Sequence, residues 1–359
     1  MKAAVCHAFG EALVIEDVAL DAPRPGEVAV RLAACAICHS DILYMQGAWG
    51  GTLPAVYGHE AAGVVEAVGD GVTDLAPGTS VVVSLLRACG RCFFCRRGQE
   101  PLCEGRFASD AEPRLHLADG RPLHQGLRTG AFAEAVVVDR SQVVAVPAEL
   151  PPASASLLAC GVLTGFGAVV NTAALPAGAS AVVIGTGGVG LNCVQGAAVS
   201  GAEPVIALDL SPAKRDAARA FGATHALNPA ATDAREAVRA LTDGRGADYV
   251  FVAAGSAAAI EAGTGLMRRG GTLVVVGMTA SGVKARIEAL DIADDAQRIL
   301  GSKMGGAHFH QDVPRLVGLY REGRLKLDEL VTGRFPLSAI NEAIADVGRD
   351  EALRNVIVF

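Results

Sequence analysis

The sequence predicts a two-domain protein, with a β-rich first domain followed by an α/β domain built on a doubly wound parallel sheet. Residues 1–150 are rich in short β-type runs separated by Gly, Pro and Asp. From about Ala153 onward, apolar strands alternate with helical stretches, as in parallel sheets covered on both faces. With 359 residues, of which 51% are hydrophobic, the chain is long enough to bury two cores.

Composition excludes several classes of function. The net charge is −7 and there is no run of Lys and Arg, so a nucleic-acid-binding protein is not expected. Apolar runs are only strand-length, and the segment MKAAVCHAFGEALVIEDV lacks the apolar core of a signal peptide, so neither a membrane span nor export is expected. We expect a cytoplasmic protein, in which reduced cysteines favour metal binding over disulfides.

The first domain carries four clear strand candidates. They are VAVRLAAC, AAGVVEAVG, SVVVSLL and FAEAVVVD, with turn residues between them, and they predict a barrel or sandwich. Residues 104–129 are polar and hold two His and two Pro, which predicts a long surface excursion.

Four cysteines lie within fifteen residues, in the pattern Cys89-x-x-Cys92-x-x-Cys95-x7-Cys103. Zinc favours thiolate sulfur and four-coordination, and a closed shell of four cysteines leaves no position for a substrate. The spacing therefore predicts a structural zinc, and a reactive metal is to be sought elsewhere in the chain.

The second domain opens with a glycine-rich turn between a strand and a helix. The run is Gly185-Thr-Gly187-Gly188-Val189-Gly190, preceded by AVVI and followed by a helical stretch. The first glycine suits the tight turn, the second the approach of a pyrophosphate, and the last the packing of helix on strand. The free N–H groups at the helix N-terminus complete a predicted dinucleotide site.

An acidic residue indicates which dinucleotide is bound. Asp209 ends the next strand, nineteen residues after Gly190, where a carboxylate accepts hydrogen bonds from ribose hydroxyls and repels a 2′-phosphate. NAD is therefore favoured over NADP. Lys214 lies close in sequence and could also bind the ribose, which weakens the case against NADP.

Three other residues have the chemistry of a catalytic zinc site. Cys38, His59 and Cys160 are far apart in the sequence, and their spacing alone does not join them. Together they would supply three protein ligands and leave one position open for water or substrate. Each also has a plainer interpretation, because a cysteine is often a small buried apolar residue and a lone histidine is often a hydrogen-bonded core residue. The residues alone leave both interpretations open.

The order of these motifs resembles the zinc-dependent medium-chain alcohol dehydrogenase family over nearly the whole chain. The matching segments are CAICHSD, YGHEAAGVVEAVG, CGRCFFCRRGQEPLC, LLACGVLTGFGAVVNTA, VIGTGGVGLN and ALRNVIVF. The resemblance implies a GroES-like catalytic domain over residues 1–161, a Rossmann domain over 162–303, and a C-terminal segment, 304–359, that returns to the catalytic domain.

The resemblance also implies roles for individual residues. It makes Cys38, His59 and Cys160 the ligands of a catalytic zinc. Nearby, Glu60 is the acidic residue behind the metal, Asp41 the carboxylate that orients the histidine, and Ser40 the hydroxyl that bonds the substrate alcohol. The remaining residues implied in cofactor binding are Thr164 and Met278 at the nicotinamide and His39 and Arg354 at the pyrophosphate.

The implied activity is the reversible oxidation of an alcohol with hydride transfer to NAD. One position departs from the family pattern, because Leu43 stands where many members have a histidine that relays the proton outward. We therefore expect protons to leave through a ribose hydroxyl and water.

An ungapped alignment with the family, starting from the zinc ligands, implies that Trp49 and Leu85 line the substrate channel. A tryptophan there favours small or flat primary alcohols, including aromatic or allylic ones, although Trp49 could equally be a packing residue. The related formaldehyde dehydrogenases, which oxidise S-hydroxymethylglutathione, carry an acidic residue at this position and are disfavoured.

Two other classes of protein remain as alternatives. A non-catalytic NAD-binding protein would be expected to have lost a catalytic ligand, and a zinc-free quinone reductase would lack both metal sites. Because family members are dimers or tetramers joined through the Rossmann sheet, we expect a homo-oligomer, with GGTLVVVGM and the strand-like VKARIEA forming the edge.

Overall fold

A computed structural model describes residues 1–349 and 351–359, which divide into two compact units. The first unit comprises Met1–Cys160, His308–Glu322 and Leu327–Phe359, and the second comprises Gly161–Ala307 and Gly323–Lys326. Residues 304–307 and 323–326 thus lie with the second unit, although the sequence places them in the C-terminal segment that returns to the catalytic domain.

The N-terminal part of the first unit is mostly β-structure. Its helices are α1 (His39–Met45), α2 (Ala108–Ala111) and α3 (Pro152–Ser156). Its strands are β1 (Lys2–Cys6), β2 (Val14–Leu20), β3 (Glu27–Ala36), β4 (Ala55–Val56), β5 (Glu60–Val68), β6 (Ser80–Ser84), β7 (Leu115–Leu117), β8 (Pro122–Gln125), β9 (Ala135–Asp139) and β10 (Val143–Ala145).

These strands form a small closed barrel and a larger sheet. The barrel runs β1-β2-β7-β8-β4, and the sheet contains β10, β6, β5 and β3 side by side, with β9 also pairing with β3. The register sets Ala36 opposite Glu60 and Glu60 opposite Ser84. As a result, the ends of three neighbouring strands meet at one place in the unit.

Residues 104–129 were expected to be a surface excursion, and for their second half that expectation is wrong. β7 and β8 close the barrel, and Leu115 and Leu123 are fully buried. Arg114 is also buried and donates two hydrogen bonds of 2.8 Å to the Glu27 carboxylate. The two strands are short and polar residues flank them. The alternation of buried and exposed residues within each strand is therefore too brief to be recognised in the sequence.

The second unit is the predicted doubly wound domain. Its strands are β11 (Ala181–Ile184), β12 (Val205–Leu208), β13 (His225–Leu227), β14 (Ala247–Val252), β15 (Met267–Val275) and β16 (Arg298–Gly301). Its helices are α4 (Gly161–Gly167), α5 (Gly188–Val199), α6 (Pro212–Ala220), α7 (Ala234–Ala240), α8 (Ala257–Thr264) and α9 (Ala289–Asp294). All six strands are parallel in the order β13-β12-β11-β14-β15-β16, which confirms the fold class.

The prediction that VKARIEA forms an edge strand is wrong. Residues 283–288 form no strand, and β16 occupies the edge position beside β15 instead. The segment alternates polar and apolar residues as a strand would, but both sets are largely exposed, so it has no sheet face to bury within this chain.

The C-terminal segment adds α10 (Phe309–Arg321), β17 (Val331–Pro336), α11 (Ile340–Asp346) and β18 (Arg354–Val358) to the first unit. β18 pairs antiparallel with β3 and parallel with β17, which extends the large sheet to seven strands. This pairing brings Arg354, at the start of β18, to the same end of the sheet as Glu60.

Among the described residues, no single helix is long and apolar enough to cross a membrane. A bent pair of short helices, Pro152–Ala159 and Gly161–Thr172, meets the criteria of length and composition only. Most of its residues are buried in the protein.

Candidate metal centres and dinucleotide site

Four buried side chains from distant parts of the first unit converge on one point. The ligand atoms of Cys38, His59, Glu60 and Cys160 all lie within 4.8 Å of one another. Cys38 directly precedes α1, His59 and Glu60 lie at the start of β5, and Cys160 ends the first segment of the unit. The structure therefore brings together the three ligands that spacing alone could not join.

Asp41 organises this centre. Its Oδ1 accepts hydrogen bonds from His59 Nδ1 at 2.9 Å and from the Gly58 main-chain N–H at 2.9 Å. Its Oδ2 accepts a hydrogen bond from the Cys38 N–H at 3.1 Å. Because Asp41 is fully buried, these bonds fix the ring of His59 and direct Nε2 away from the carboxylate.

The donor set fits a zinc ion. His59 Nε2 is buried and has no hydrogen-bond partner among the described residues, which is costly unless another group binds it. The hydrogen bond from Cys160 and the neighbouring His59 hold the pKa of the Cys38 thiol well below its ordinary value, which favours the thiolate that zinc binds. Two sulfurs and an imidazole nitrogen are zinc ligands, and three of them leave a position open.

Glu60 lies against this centre as a fully buried carboxylate. Burial raises its pKa to about 7, although the Arg354 guanidinium acts in the opposite direction. Arg354 is buried and forms an ion pair with Glu60. The family resemblance implies that Arg354 contacts the cofactor pyrophosphate. The structure places it at the metal centre, and the pyrophosphate contact stays a prediction.

Of the other residues predicted near the catalytic zinc or the substrate, some lie on α1 and some in loops. His39 is exposed and Ser40 half-buried in the first turn of α1, and Leu43 is half-buried one turn later. Trp49 packs edge-on against Tyr44, with the ring centroids 5.1 Å apart. Leu85 directly follows β6 and is half-buried. Their roles toward a substrate stay predictions.

The four-cysteine run forms a second candidate metal centre. The sulfurs of Cys89, Cys92, Cys95 and Cys103 lie within 4.8 Å of one another. Main-chain N–H groups donate to them, from Cys95 to Cys92 Sγ at 3.4 Å and from Cys89 to Cys103 Sγ at 3.3 Å. Such bonds stabilise thiolates and hold the pKa of Cys92 at about 6.

A glycine that the sequence analysis passed over supports this second centre. A Cβ atom on Gly105 would lie 2.6 Å from Cys89 Cβ and 2.9 Å from Cys89 Sγ. Only glycine leaves room for the cysteines there. No sequence signal marks Gly105, because the contact depends on how the loop closes on itself.

The predicted dinucleotide turn has the expected local geometry. Gly185 has φ of 83°, which favours glycine, and a Cβ on Gly190 would lie 1.8 Å from the Gly185 carbonyl oxygen. A Cβ on Gly187 would meet no atom within 4 Å, so the backbone is open to a ligand. Gly187 caps α5 without a side-chain hydrogen bond, which leaves N–H groups for a phosphate.

Asp209 lies at the end of β12, beside this turn. Its Oδ2 accepts hydrogen bonds from the Thr186 N–H at 2.7 Å and the Thr186 hydroxyl at 3.1 Å, and its Oδ1 accepts one from the Ser211 N–H at 3.0 Å. The carboxylate is thus held rigidly next to the glycine turn. Lys214 is half-buried in the first turn of α6, Thr164 is buried in α4, and Met278 is 61% exposed.

Comparison with known proteins covers both units. Family models for the alcohol dehydrogenase GroES-like domain and the zinc-binding dehydrogenase domain match residues 24–148 and 188–322. The chain is 36% identical to the NDMA-dependent alcohol dehydrogenase of Amycolatopsis methanolica, over 99% of this chain and 98% of that protein. It is 33% identical to the S-(hydroxymethyl)glutathione dehydrogenase of Saccharomyces cerevisiae, over 99% of this chain and 95% of that protein.

A solved structure agrees over the same length. The benzyl alcohol dehydrogenase of Acinetobacter calcoaceticus matches with a TM-score of 0.94 and 29% identity, covering 100% of this chain and 99% of that one. The relatives and the matched domains confirm the resemblance drawn from the motifs. The chain therefore belongs to the zinc-dependent medium-chain alcohol dehydrogenase family, whose members bind NAD(P).

Proposed function

We propose that the protein catalyses the reversible oxidation of a primary alcohol to an aldehyde, with NAD as the hydride acceptor. The convergence of Cys38, His59 and Cys160 in one buried centre, with Asp41 behind the histidine, is the observation that carries this proposal. A protein that only bound the dinucleotide would have no need of three buried ligands with an orienting carboxylate.

The residues in and around the first metal centre would have different roles in the reaction. Cys38, His59 and Cys160 would hold a zinc ion, which when bound supplies a Lewis acid for the substrate oxygen. Asp41 keeps His59 in the required tautomer, and Arg354 balances the charge of Glu60. Ser40 would accept the hydroxyl proton of the substrate at its Oγ and pass it to water, since Leu43 cannot.

Asp209 supports NAD rather than NADP. Its carboxylate is fixed by Thr186 and Ser211 at the end of β12, where a 2′-phosphate would meet a second negative charge. Lys214 acts against this preference because its positive charge would attract a 2′-phosphate. Its single charge, however, is smaller than the negative charge of that phosphate. A bound nicotinamide supplies the hydride chemistry itself.

The environment of Trp49 supports a flat substrate. Trp49, Tyr44 and Tyr57 form a continuous aromatic group, with Tyr44 and Tyr57 stacked at 6.1 Å between ring centroids. Aromatic side chains offer rigid flat surfaces for aryl or allylic groups. The structural likeness to a benzyl alcohol dehydrogenase points in the same direction.

A panel of alcohols tests the proposal. We expect the zinc-loaded protein to oxidise benzyl and allyl alcohols with a higher kcat/KM for NAD than for NADP. Absence of turnover for every primary alcohol with either cofactor would contradict it. A preference for NADP would contradict NAD as the hydride acceptor and the role of Asp209, but not the oxidation of alcohols.

A second candidate substrate is S-hydroxymethylglutathione, because a relative that is 33% identical carries that name. The presence of Trp49, where the sequence comparison expects an acidic residue in that branch, argues against it. Turnover of S-hydroxymethylglutathione far above that of simple alcohols would reverse this ranking.

The segment that leads from β15 to the edge strand β16 of the second unit supports self-association. Large apolar side chains there include Met278, Val283 and Leu290, which are 61%, 49% and 68% exposed. Exposed apolar groups of this size favour an interface. We propose a homodimer or homotetramer through this edge. Light scattering would show a smaller particle for Leu290→Glu, and an unchanged mass would count against this edge.

The state of the cysteines supports a reducing compartment. All nine cysteines are free, including the four within the second metal centre. We propose a cytoplasmic location, where thiols stay reduced and available to metal.

A further inference from the structure

The three ligands of the first metal centre come from segments that are fixed in different ways. Asp41 bonds the N–H of Cys38 and the ring of His59, and so fixes two of them. The third ligand, Cys160, directly follows a short 3₁₀ turn, Leu157–Ala159, and has non-helical main-chain angles, with φ of −148° and ψ of −68°. The helical turn therefore does not by itself set the direction of the Cys160 side chain.

Ser84 holds the peptide that precedes this third ligand. Ser84 Oγ donates a hydrogen bond to the Ala159 carbonyl oxygen at 2.6 Å and accepts one from the Leu86 N–H at 3.3 Å. Ser84 and Ala159 are both fully buried, so bulk water does not compete for the bond between them. Because a peptide unit is planar, a fixed Ala159 carbonyl also fixes the N–H and the Cα atom of Cys160.

The main chain of Ser84 is fixed as well. Ser84 ends β6 and lies opposite Glu60, the first residue of β5, which directly follows the ligand His59. The Ser84 carbonyl oxygen accepts a hydrogen bond of 2.8 Å from Nε2 of Gln142, a fully buried side chain that also donates to a second main-chain carbonyl oxygen at 3.1 Å. Ser84 therefore connects the segment of His59 to the segment of Cys160.

A buried hydroxyl need not connect two segments. Ser156 is also fully buried, but its Oγ donates to the Ala153 carbonyl oxygen of its own helix, at 2.8 Å. The hydroxyl of Ser84 instead bonds a residue 75 positions away, next to a ligand. A bond of that kind restricts where two ligand segments lie, and a metal site needs its ligands held in a defined geometry.

We propose that Ser84 is a positioning residue for zinc at the first centre, because its hydroxyl fixes Cys160 relative to His59. Loss of a group that orients a metal ligand lowers metal affinity by about 10- to 100-fold. The inference concerns metal binding, so it does not depend on which alcohol the protein oxidises.

The experiment follows the loss of zinc from each centre of the zinc-loaded protein. The wild type, Ser84→Ala, Ser84→Thr and Ser156→Ala are incubated with a chelator, and the zinc remaining per chain is measured at intervals. Alkylation with iodoacetamide and peptide mass mapping then show which cysteines have lost their metal, because the thiolate is both the ligand and the nucleophile. Cys38 and Cys160 report the first centre, and the four-cysteine run reports the second.

Ser84→Ala is expected to release zinc from the first centre about tenfold faster than the wild type. Release from the four-cysteine run should be unchanged, which controls for general unfolding within the same molecule. Ser84→Thr keeps the hydroxyl and should stay nearer to the wild type. Ser156→Ala loses a buried hydrogen bond of similar length within its own helix and should leave both rates unchanged.

Four results would overturn the inference: equal release from the first centre in the wild type and Ser84→Ala, equal acceleration at both centres, an equal effect of Ser156→Ala, or a wild type without zinc at the first centre. If Ser84→Ala does not fold, Gln142→Met is the second variant, because it removes the bond to the Ser84 carbonyl oxygen. Faster release from the first centre alone would support the inference, and unchanged release would refute it.

Discussion

At the scale of single residues, Asp41 is the group on which the geometry of the first metal centre depends. It receives hydrogen bonds from the main chain of two segments that carry ligands and from the imidazole of His59. The motif CHSD made Asp41 visible in the sequence. Gln142 and Gly105 were not visible, because their importance arises from contacts between loops that are distant in sequence or folded back on themselves.

Asp41→Asn is expected to weaken zinc binding at the first centre by about 10- to 100-fold. The asparagine loses the negative charge, and its NH₂ group must face one of the N–H donors that now bond the carboxylate. Zinc retention against a chelator measures this, with Asp17→Asn, 73% exposed, as the control. Equal retention in the wild type and Asp41→Asn would contradict the role of Asp41.

Leu43→His is expected to raise the rate of alcohol oxidation at low pH. A titratable imidazole on α1 could take the proton from Ser40, which Leu43 cannot do. The pH profile of kcat measures this. Leu43→Gln, which is polar without titrating in that range, is the control. An unchanged profile for Leu43→His would show that protons leave by a route independent of this position.

At the scale of elements, strands with a long apolar pattern or a glycine-rich turn beside them were predicted, whereas short strands flanked by polar residues were missed. The strand β5 and the strand–turn–helix of β11 and α5 stand out in the sequence through length or glycines. β7 and β8 were missed because each is short and flanked by polar residues, and VKARIEA was mistaken for a strand because its alternation has no partner sheet within the chain.

Gly105→Ala is expected to release the zinc of the four-cysteine centre and to lower the melting temperature. The new Cβ would overlap Cys89, as the contact distances of 2.6 and 2.9 Å show. Gly318→Ala in α10 is the matched control, because a Cβ there meets no atom within 4 Å. A Gly105→Ala variant with full zinc content and unchanged melting temperature would contradict the packing described here.

Cys92→Ser removes one ligand of the same centre and is expected to lower stability or disturb assembly before it alters hydride transfer. The reason is that four cysteines in a closed shell would hold the loop of residues 89–103 together and leave no position for substrate. Thermal unfolding and activity of the same sample measure the two effects. A variant that folds and assembles normally but is inactive would reverse this division of roles.

Asp248→Asn is expected to destabilise the second unit at neutral pH by about 1–3 kcal/mol. Burial alone would raise the pKa of Asp248, but bonds from Ser180 and Arg268 lower it. A lowered pKa means that the stabilisation is present above the unfolded value of about 3.9 and is lost as the pH falls below it. Urea unfolding at pH 7 and near pH 3.5, with the exposed Asp216→Asn as control, measures this. A pH-independent difference would contradict it.

At the scale of the whole molecule, the two clusters of ligands predict two zinc ions with different tasks. One set of four sulfurs is contiguous in sequence and closed, and the other set is scattered and leaves a position open. The contiguous set could be assigned from spacing alone. The scattered set needed the family resemblance, since its ligands come from the segments before α1, before β5 and before α4, which meet only in the folded chain.

The zinc content of the purified protein, measured by elemental analysis, tests this claim most directly. We expect two zinc ions per chain in the wild type, and one in both Cys92→Ser and Cys160→Ser. Cys160→Ser should abolish alcohol oxidation with a smaller loss of thermal stability than Cys92→Ser. One zinc ion per wild-type chain, or none, would contradict the assignment of a structural and a catalytic zinc site.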